Sequence, residues 1–237
     1  ISRVFAQYMV PRGGIGVYDS SEQRFSLYAD VQYPHRVRQL LAEKIFSIPE
    51  QDIRVVSRDV GGGFGTKGWQ YAEHRLVLWA SKRIGRPIKW SCERSEAVQA
   101  DEHGRDNITE AELAFDSDGK ITGLKVDTIA NIGAYASLFA TVTPTYLYAP
   151  LILGLYDIPV ASCNVKAVFT NTAPVDAYRG AGRPEASFLI ERIVTEAAKE
   201  IGMDQAEFRK KNFINKFPHQ QCLVHNIDSG NYSAHLD

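Results

Sequence analysis

The segment Gly61–Gly68 reads GGGFGTKG, and no other part of the chain restricts its fold as strongly. Consecutive glycines let a backbone approach a ligand closely and turn several amides toward it. Ile53–Val56 upstream reads as a short apolar strand. Downstream, Trp69, Ala72, Leu76, Trp79 and Ala80 recur at the spacing of one buried helical face, and Gly85 stops that helix. A helix N-terminus beside the loop would add a positive dipole end, so phosphate or another oxyanion is the natural guest. The phosphate loop of nucleotide hydrolases does not fit, because Lys67 stands between Thr66 and Gly68. Gly63–Gly68 does spell GxGxxG, with Glu93 near the end of a following strand, which leaves a dinucleotide site open. Against it, Ser57, Arg58 and Asp59 part the strand from the glycines, and a bulky Phe64 interrupts the fingerprint. A purely structural glycine turn is the third reading.

A second loop of small residues, Ala177-Tyr178-Arg179-Gly180-Ala181-Gly182-Arg183-Pro184-Glu185, again runs into a helix start. Two such loops suggest one large ligand gripped from two sides. Around them, strands are expected at Phe25–Val31, Pro87–Trp90, Thr109–Phe115, Ile121–Ile129 and Asn164–Phe169, and a helix from Pro34 to about Phe46. Asp116-Ser117-Asp118-Gly119 closes a hairpin. A helix opening at Pro184 presents Ala186, Leu189, Ile190, Ile193, Val194, Ala197 and Ile201 on one face, and Asp204 caps the next. Residues 131–160 read as loop around one short helix. The pattern is a mixed α/β or α+β fold whose strand order stays open. No Gly/Ser/Pro-rich linker divides it, so residues 1–237 are expected to form one domain. An opening at Ile1 and an ending in the midst of a new element read as a piece of a longer chain.

The 237 residues carry 27 basic and 28 acidic side chains, for a net charge of −1, so charge offers no case for nucleic acid. No apolar run approaches the roughly 18–20 residues of a membrane span. Cys92, Cys163 and Cys222 are scattered without CxxC spacing, and the histidines show no HExxH, which fits a reducing cytoplasm.

GGGFGTK followed far downstream by AYRGAGRPEA resembles the molybdenum-binding large subunit of the xanthine dehydrogenase, aldehyde oxidase and aerobic carbon monoxide dehydrogenase family. The likeness continues through Gly85-Arg86-Pro87-Ile88-Lys89-Trp90, Asp118-Gly119-Lys120, Tyr156-Asp157-Ile158-Pro159 and Arg209-Lys210-Lys211-Asn212-Phe213-Ile214, with the carbon monoxide dehydrogenase branch nearest. The resemblance implies a molybdopterin-binding domain, the cofactor being of the cytosine dinucleotide form. Gln32 would bond the apical oxo ligand, Gly62, Gly63, Phe64 and Gly65 would pass beside the metal, and Tyr178, Arg179 and Gly180 would face metal and substrate. No direct protein ligand to the metal is implied.

The resemblance also implies partners: the remaining half of the large subunit, and iron–sulfur clusters and FAD on other subunits or domains. The reaction implied is oxidative hydroxylation of a small organic substrate such as an aldehyde or N-heterocycle. The family's general-base glutamate lies in a GVGE-type motif absent from this sequence; Glu73, Glu93, Glu102 and Glu185 do not replace it, Glu73 being expected on an exposed helix face. Copper-containing relatives carry a cysteine where this chain has Gly180, so no copper is expected. Purine-oxidising relatives place a glutamate at Gly68 and an arginine within Tyr146–Tyr148, and this chain has neither. Without the missing half, these residues alone are expected to be inert.

Overall fold

The structure, a computed structural model, describes residues 1–236. The chain packs as two compact units, one of Phe5–His103 and the other of Ile1–Val4 with the chain from Gly104 onward.

In the Phe5–His103 unit, β1 (Gly13–Asp19), β2 (Arg24–Ala29), β3 (Ile53–Val56) and β4 (Ile88–Ser91) form a sheet of order β3-β2-β1-β4. β1 is antiparallel to β2 and β4, and β2 is parallel to β3. Three glycines in β1 hide it from propensity and pattern. Their use is steric: a Cβ on Gly16 would stand 2.4 Å from the Val77 carbonyl carbon of α2 (Ala72–Ile84), which crosses the strand there.

That crossing corrects the expected face of α2. Leu76 and Trp79 are 55% and 56% exposed, and the buried residues are His74, Val77, Leu78 and Ser81. The helix sets His74 against Gly14 and Val77 against Gly16, and Leu76 and Trp79 face outward. Gly85 ends α2 in the left-handed region, φ 70°, as expected. α1 (Pro34–Leu40) continues as a π-helical stretch, Leu41–Phe46. A third helix, α3 (Arg94–Ala100), went unanticipated; its start is a capping box of Glu93 and Glu96. The core gathers Phe25, Leu27, Val37, Leu41, Ile53, Val77 and Leu78. Each large aliphatic or aromatic among them contributes roughly 1.5–3 kcal/mol by leaving water.

The other unit holds β5 (Asn107–Phe115), β6 (Ile121–Gly133) and β7 (Ala161–Phe169), in that order, with β5/β6 antiparallel and β6/β7 parallel. The β5–β6 turn is fixed by Asp116, whose Oδ1 accepts from the amides of Asp118 (3.0 Å) and Lys120 (2.8 Å). Near the chain's start, Val4 forms an isolated antiparallel bridge with Gly104. α4 (Arg183–Glu200) buries Ala186, Ile190, Val194 and Ala197 on its expected face. α5 (Gln205–Asn212) starts under the Asp204 side chain, which accepts from Ala206 N and Glu207 N. Cys163, on β7, packs against this core, and burial pushes its thiol up to about 11. Among the described residues, no helix is long and apolar enough to cross a membrane.

Candidate functional site

The glycine loop does not feed an α-helix directly. Residues 57–71 separate β3 from α2, and Thr66–Gly68 form a single 3-10 turn within them. The N-terminus of α2 therefore does not directly follow the glycines, against expectation. The loop also uses its own amides: Gly62 N donates to Val60 O (2.8 Å), Thr66 N to Gly63 O (3.0 Å) and Gly68 N to Gly65 O (2.8 Å). This is no phosphate cradle. The dinucleotide fingerprint fails for the same reason, and Glu93, its candidate ribose acceptor, caps α3 instead.

What the loop does is fold over Gln32. Gly65 N donates to Gln32 Oε1 at 2.9 Å, and Gln32 N donates to Lys67 O at 2.8 Å. A Cβ on Gly63 would lie 2.3 Å from Gln32 Oε1, so only glycine admits the carboxamide there. Since an N–H can bond only the oxygen end of the amide, Gln32 is oriented: its Nε2 group remains a donor without a protein acceptor among the described residues. Phe64, at φ 55° and 39% exposed, crowns the turn. Gln32, Gly62, Gly63, Phe64 and Gly65 thus stand together. Lys67 is buried; its Nζ donates to Val10 O (2.6 Å) and pairs with Asp30. Tyr71 pins the loop's far end, donating to Thr66 O at 2.8 Å. Glu73 is partly buried, not on an open face, and pairs with the buried Arg12 at 3.1 Å.

Tyr178, Arg179 and Gly180 belong to the other unit. Here the loop does lead straight into a helix, α4, with Pro184 in its first turn. Gly180 (φ 95°), Ala181 (φ 28°) and Gly182 (φ 83°) run consecutively through left-handed backbone. A Cβ on Gly182 would meet Leu147 O at 2.3 Å, so the loop sits directly on the 143–147 turn. Arg179 and Gly180 are exposed. Two residues that escaped the sequence reading hold the loop. Arg105 donates to the carbonyls of Tyr178 and Arg179, and the buried Asp176 accepts from Ala177 N and from Phe139 N (2.9 Å). Burial raises the Asp176 pKa above the usual carboxylate range. Only their long-range pairing distinguishes them, and no local pattern encodes it. Glu185 is a first-turn acid as expected, but buried and paired with Arg105 at 3.1 Å.

Among the described residues, no three His, Cys, Asp or Glu side chains gather as a metal-binding group. A profile of the molybdopterin cofactor-binding domain matches residues 1–213. The chain is 41% identical over 231 residues to the carbon monoxide dehydrogenase large chain of Hydrogenophaga pseudoflava, covering 94% of this chain and 28% of that one. It is 35% identical over 208 residues to the 6-hydroxypseudooxynicotine dehydrogenase complex subunit gamma of Paenarthrobacter nicotinovorans, covering 87% of this chain and 26% of the relative. The crystal structure of quinoline 2-oxidoreductase from Pseudomonas putida 86 superposes with a TM-score of 0.94 at 33% identity, over 99% of this chain and 30% of that one. The chain therefore spans less than a third of the length of these relatives. It belongs to the molybdopterin cofactor-binding domain family.

Proposed function

We propose that Gln32, Gly62, Gly63, Phe64 and Gly65, with Tyr178, Arg179 and Gly180, hold the molybdopterin of a hydroxylase that oxidises an electrophilic carbon of an N-heterocycle or aldehyde. The observation that carries this reading is the oriented Gln32: its oxygen is committed to Gly65 N, and its Nε2 donor is left for a ligand. A preorganised amide donor is what an oxo group requires, and it needs no reorganisation when that ligand arrives. Bound molybdopterin, taken to be the cytosine dinucleotide form, supplies the two-electron redox chemistry. This chain's residues supply donors and shape. Gln32 fixes an acceptor face, Phe64 offers an apolar wall, and the exposed Arg179 side chain orients a substrate. The proton acceptor is assigned to the remaining half of the subunit, since Glu73 and Glu185 are occupied by Arg12 and Arg105. Partner subunits that carry iron–sulfur clusters and FAD would take up the electrons, in the cytoplasm.

Substrate class follows from the second loop. Carbon monoxide offers almost nothing to hydrogen-bond, and a soft thiolate-held metal would be needed to capture it. Position 180 is glycine, and none of Cys92, Cys163 and Cys222 lies in either loop. Purines are disfavoured: Gly68 provides no carboxylate, and Tyr148 turns inward, its hydroxyl 3.1 Å from Thr128 Oγ1. Two of the relatives are named for a nicotine derivative and for quinoline, which supports an organic heterocycle. The test is metal analysis of the purified full-length complex, with dye reduction driven by quinoline, benzaldehyde or carbon monoxide. Turnover of an organic substrate without stoichiometric copper is expected. Copper equimolar with molybdenum, and carbon monoxide turnover that cyanide abolishes and copper restores, would overturn it.

A further inference from the structure

We infer that Arg105 is the positioning residue of the second loop, its guanidinium fixing the Tyr178 and Arg179 carbonyls and thereby the stance of Arg179 and Gly180 toward cofactor and substrate. This rests on the reading of that loop as part of the cofactor site. Nη1 of Arg105 donates to Tyr178 O and to Glu185 Oε1, both at 3.1 Å, and Nη2 donates to Arg179 O at 2.9 Å. The guanidinium carbon also lies 4.9 Å from the Tyr178 ring centroid. One side chain thus grips two successive carbonyls, one aromatic face and the first turn of α4. The Arg105 and Glu185 side chains are only 10% and 1% exposed, so the pair is shielded from the screening that weakens surface ion pairs.

The backbone is arranged to deliver this side chain. Arg105 and Asp106 both adopt left-handed φ, 67° and 72°, a conformation non-glycine residues seldom take in succession. It is held by Asp106, whose Oδ2 accepts from Arg3 Nε (3.0 Å) and Asn131 Nδ2 (2.8 Å), and whose carbonyl accepts from Asn131 N (3.1 Å). Gly104 lets the loop approach, since a Cβ there would lie 2.3 Å from Tyr178 Cβ. Strained backbone kept in place by several side chains marks a position where side-chain direction matters. The planar fork of arginine suits this array, whereas a lysine ammonium has no second arm for the two carbonyls.

The test uses the complete enzyme with Arg105→Ala, Arg105→Lys and Arg179→Ala. Three quantities are read: molybdenum and pterin content, kcat and KM, and amide hydrogen exchange in the peptide spanning 177–183. Arg105→Ala is expected to keep its cofactor, to speed exchange in 177–183 by about tenfold or more, and to lower kcat/KM by about tenfold, because several charge-assisted hydrogen bonds are lost. Arg105→Lys should restore exchange and kinetics only in part. Wild-type exchange in 177–183 for Arg105→Ala overturns the proposal, as does loss of cofactor in step with activity, which marks a merely structural residue. Should Arg105→Ala not accumulate, Arg105→Lys with wild-type exchange and kinetics overturns it equally. Wild-type kcat, KM and cofactor content for Arg179→Ala would sink the underlying reading of the loop, whatever Arg105 does to exchange.

Discussion

The two glycine-rich loops are alike in composition and opposite in what holds them. In the Gly61–Gly68 loop the space beside Gly63 is filled by the end of another side chain, the Gln32 carboxamide. In the Ala177–Arg183 loop, the space beside Gly182 is filled by the backbone of Leu147. Their cations differ as well. Lys67 lies beneath the first loop and anchors it to Asp30 and Val10, while Arg105 grips the second through its carbonyls. Glycine therefore serves two purposes in one chain: Gly63 makes room for a functional amide, and Gly182 carries a left-handed path over fixed backbone. Side-chain ends yield and backbone does not, so equivalent substitutions should have unequal effects.

Gly182→Ala should have the largest effect. It combines a φ of 83° with a Cβ 2.3 Å from Leu147 O and 2.5 Å from Leu147 C. Together these are expected to cost roughly 3 kcal/mol or more, read as a fall in the denaturation midpoint and yield of the full-length protein. Stability close to wild type would mean that the 143–147 turn yields as easily as a side chain, and the contrast would collapse.

The next effect is confined to the unit bearing the first loop. His74 is buried, and burial, with a smaller push from the Arg12 charge, lowers its pKa to about 4. Its Nδ1 accepts from Tyr71 N at 3.3 Å, so protonation would also break the start of α2. Between pH 6.5 and 4 the unfolded chain binds the proton and the native state does not, so stability falls as pH falls through that window, by roughly 3 kcal/mol at most. Asp101, pushed up to about 7 by burial, titrates nearby with the opposite sign, so the quantity to measure is a difference. Wild type should lose protection of the α2 amides relative to His74→Gln below pH 6. Parallel curves would contradict the assignment.

Gly63→Ala should have the smallest effect on stability, about 1 kcal/mol, since the carboxamide can swing aside at the loss of one hydrogen bond. Its effect on the cofactor should be far larger, seen as reduced molybdenum content or turnover in the full-length enzyme. Wild-type content and turnover with a displaced Gln32 would remove the role given to that amide.

How much of this was legible in the residues varies with the range of the cause. β3, the Gly85 stop, the Asp116 turn, the Asp204 cap and the buried face of α4 follow from local chemistry and were read correctly. β1 and the true face of α2 were not, because Gly16 and Leu78 acquire their meaning only when helix and strand cross. For the site, the glycines stood out by themselves, whereas Gln32 emerged only through resemblance to a known family. The resemblance did not extend to Arg105 and Asp176. The partners of Arg105, and Phe139 beside Asp176, lie far along the chain, and an arginine after a glycine or an aspartate before an alanine carries no local signal.

The central claim is that Gln32 Nε2, left free by the Gly65 amide, meets the bound cofactor. A structure of the complete enzyme with its cofactor in place tests this most directly, through the distance from Gln32 Nε2 to the nearest cofactor atom. A hydrogen bond of about 3 Å is expected, with Oε1 still on Gly65 N. A Gln32 amide bonded to protein or water, with the cofactor seated away from the Gly62–Gly65 loop, would contradict it.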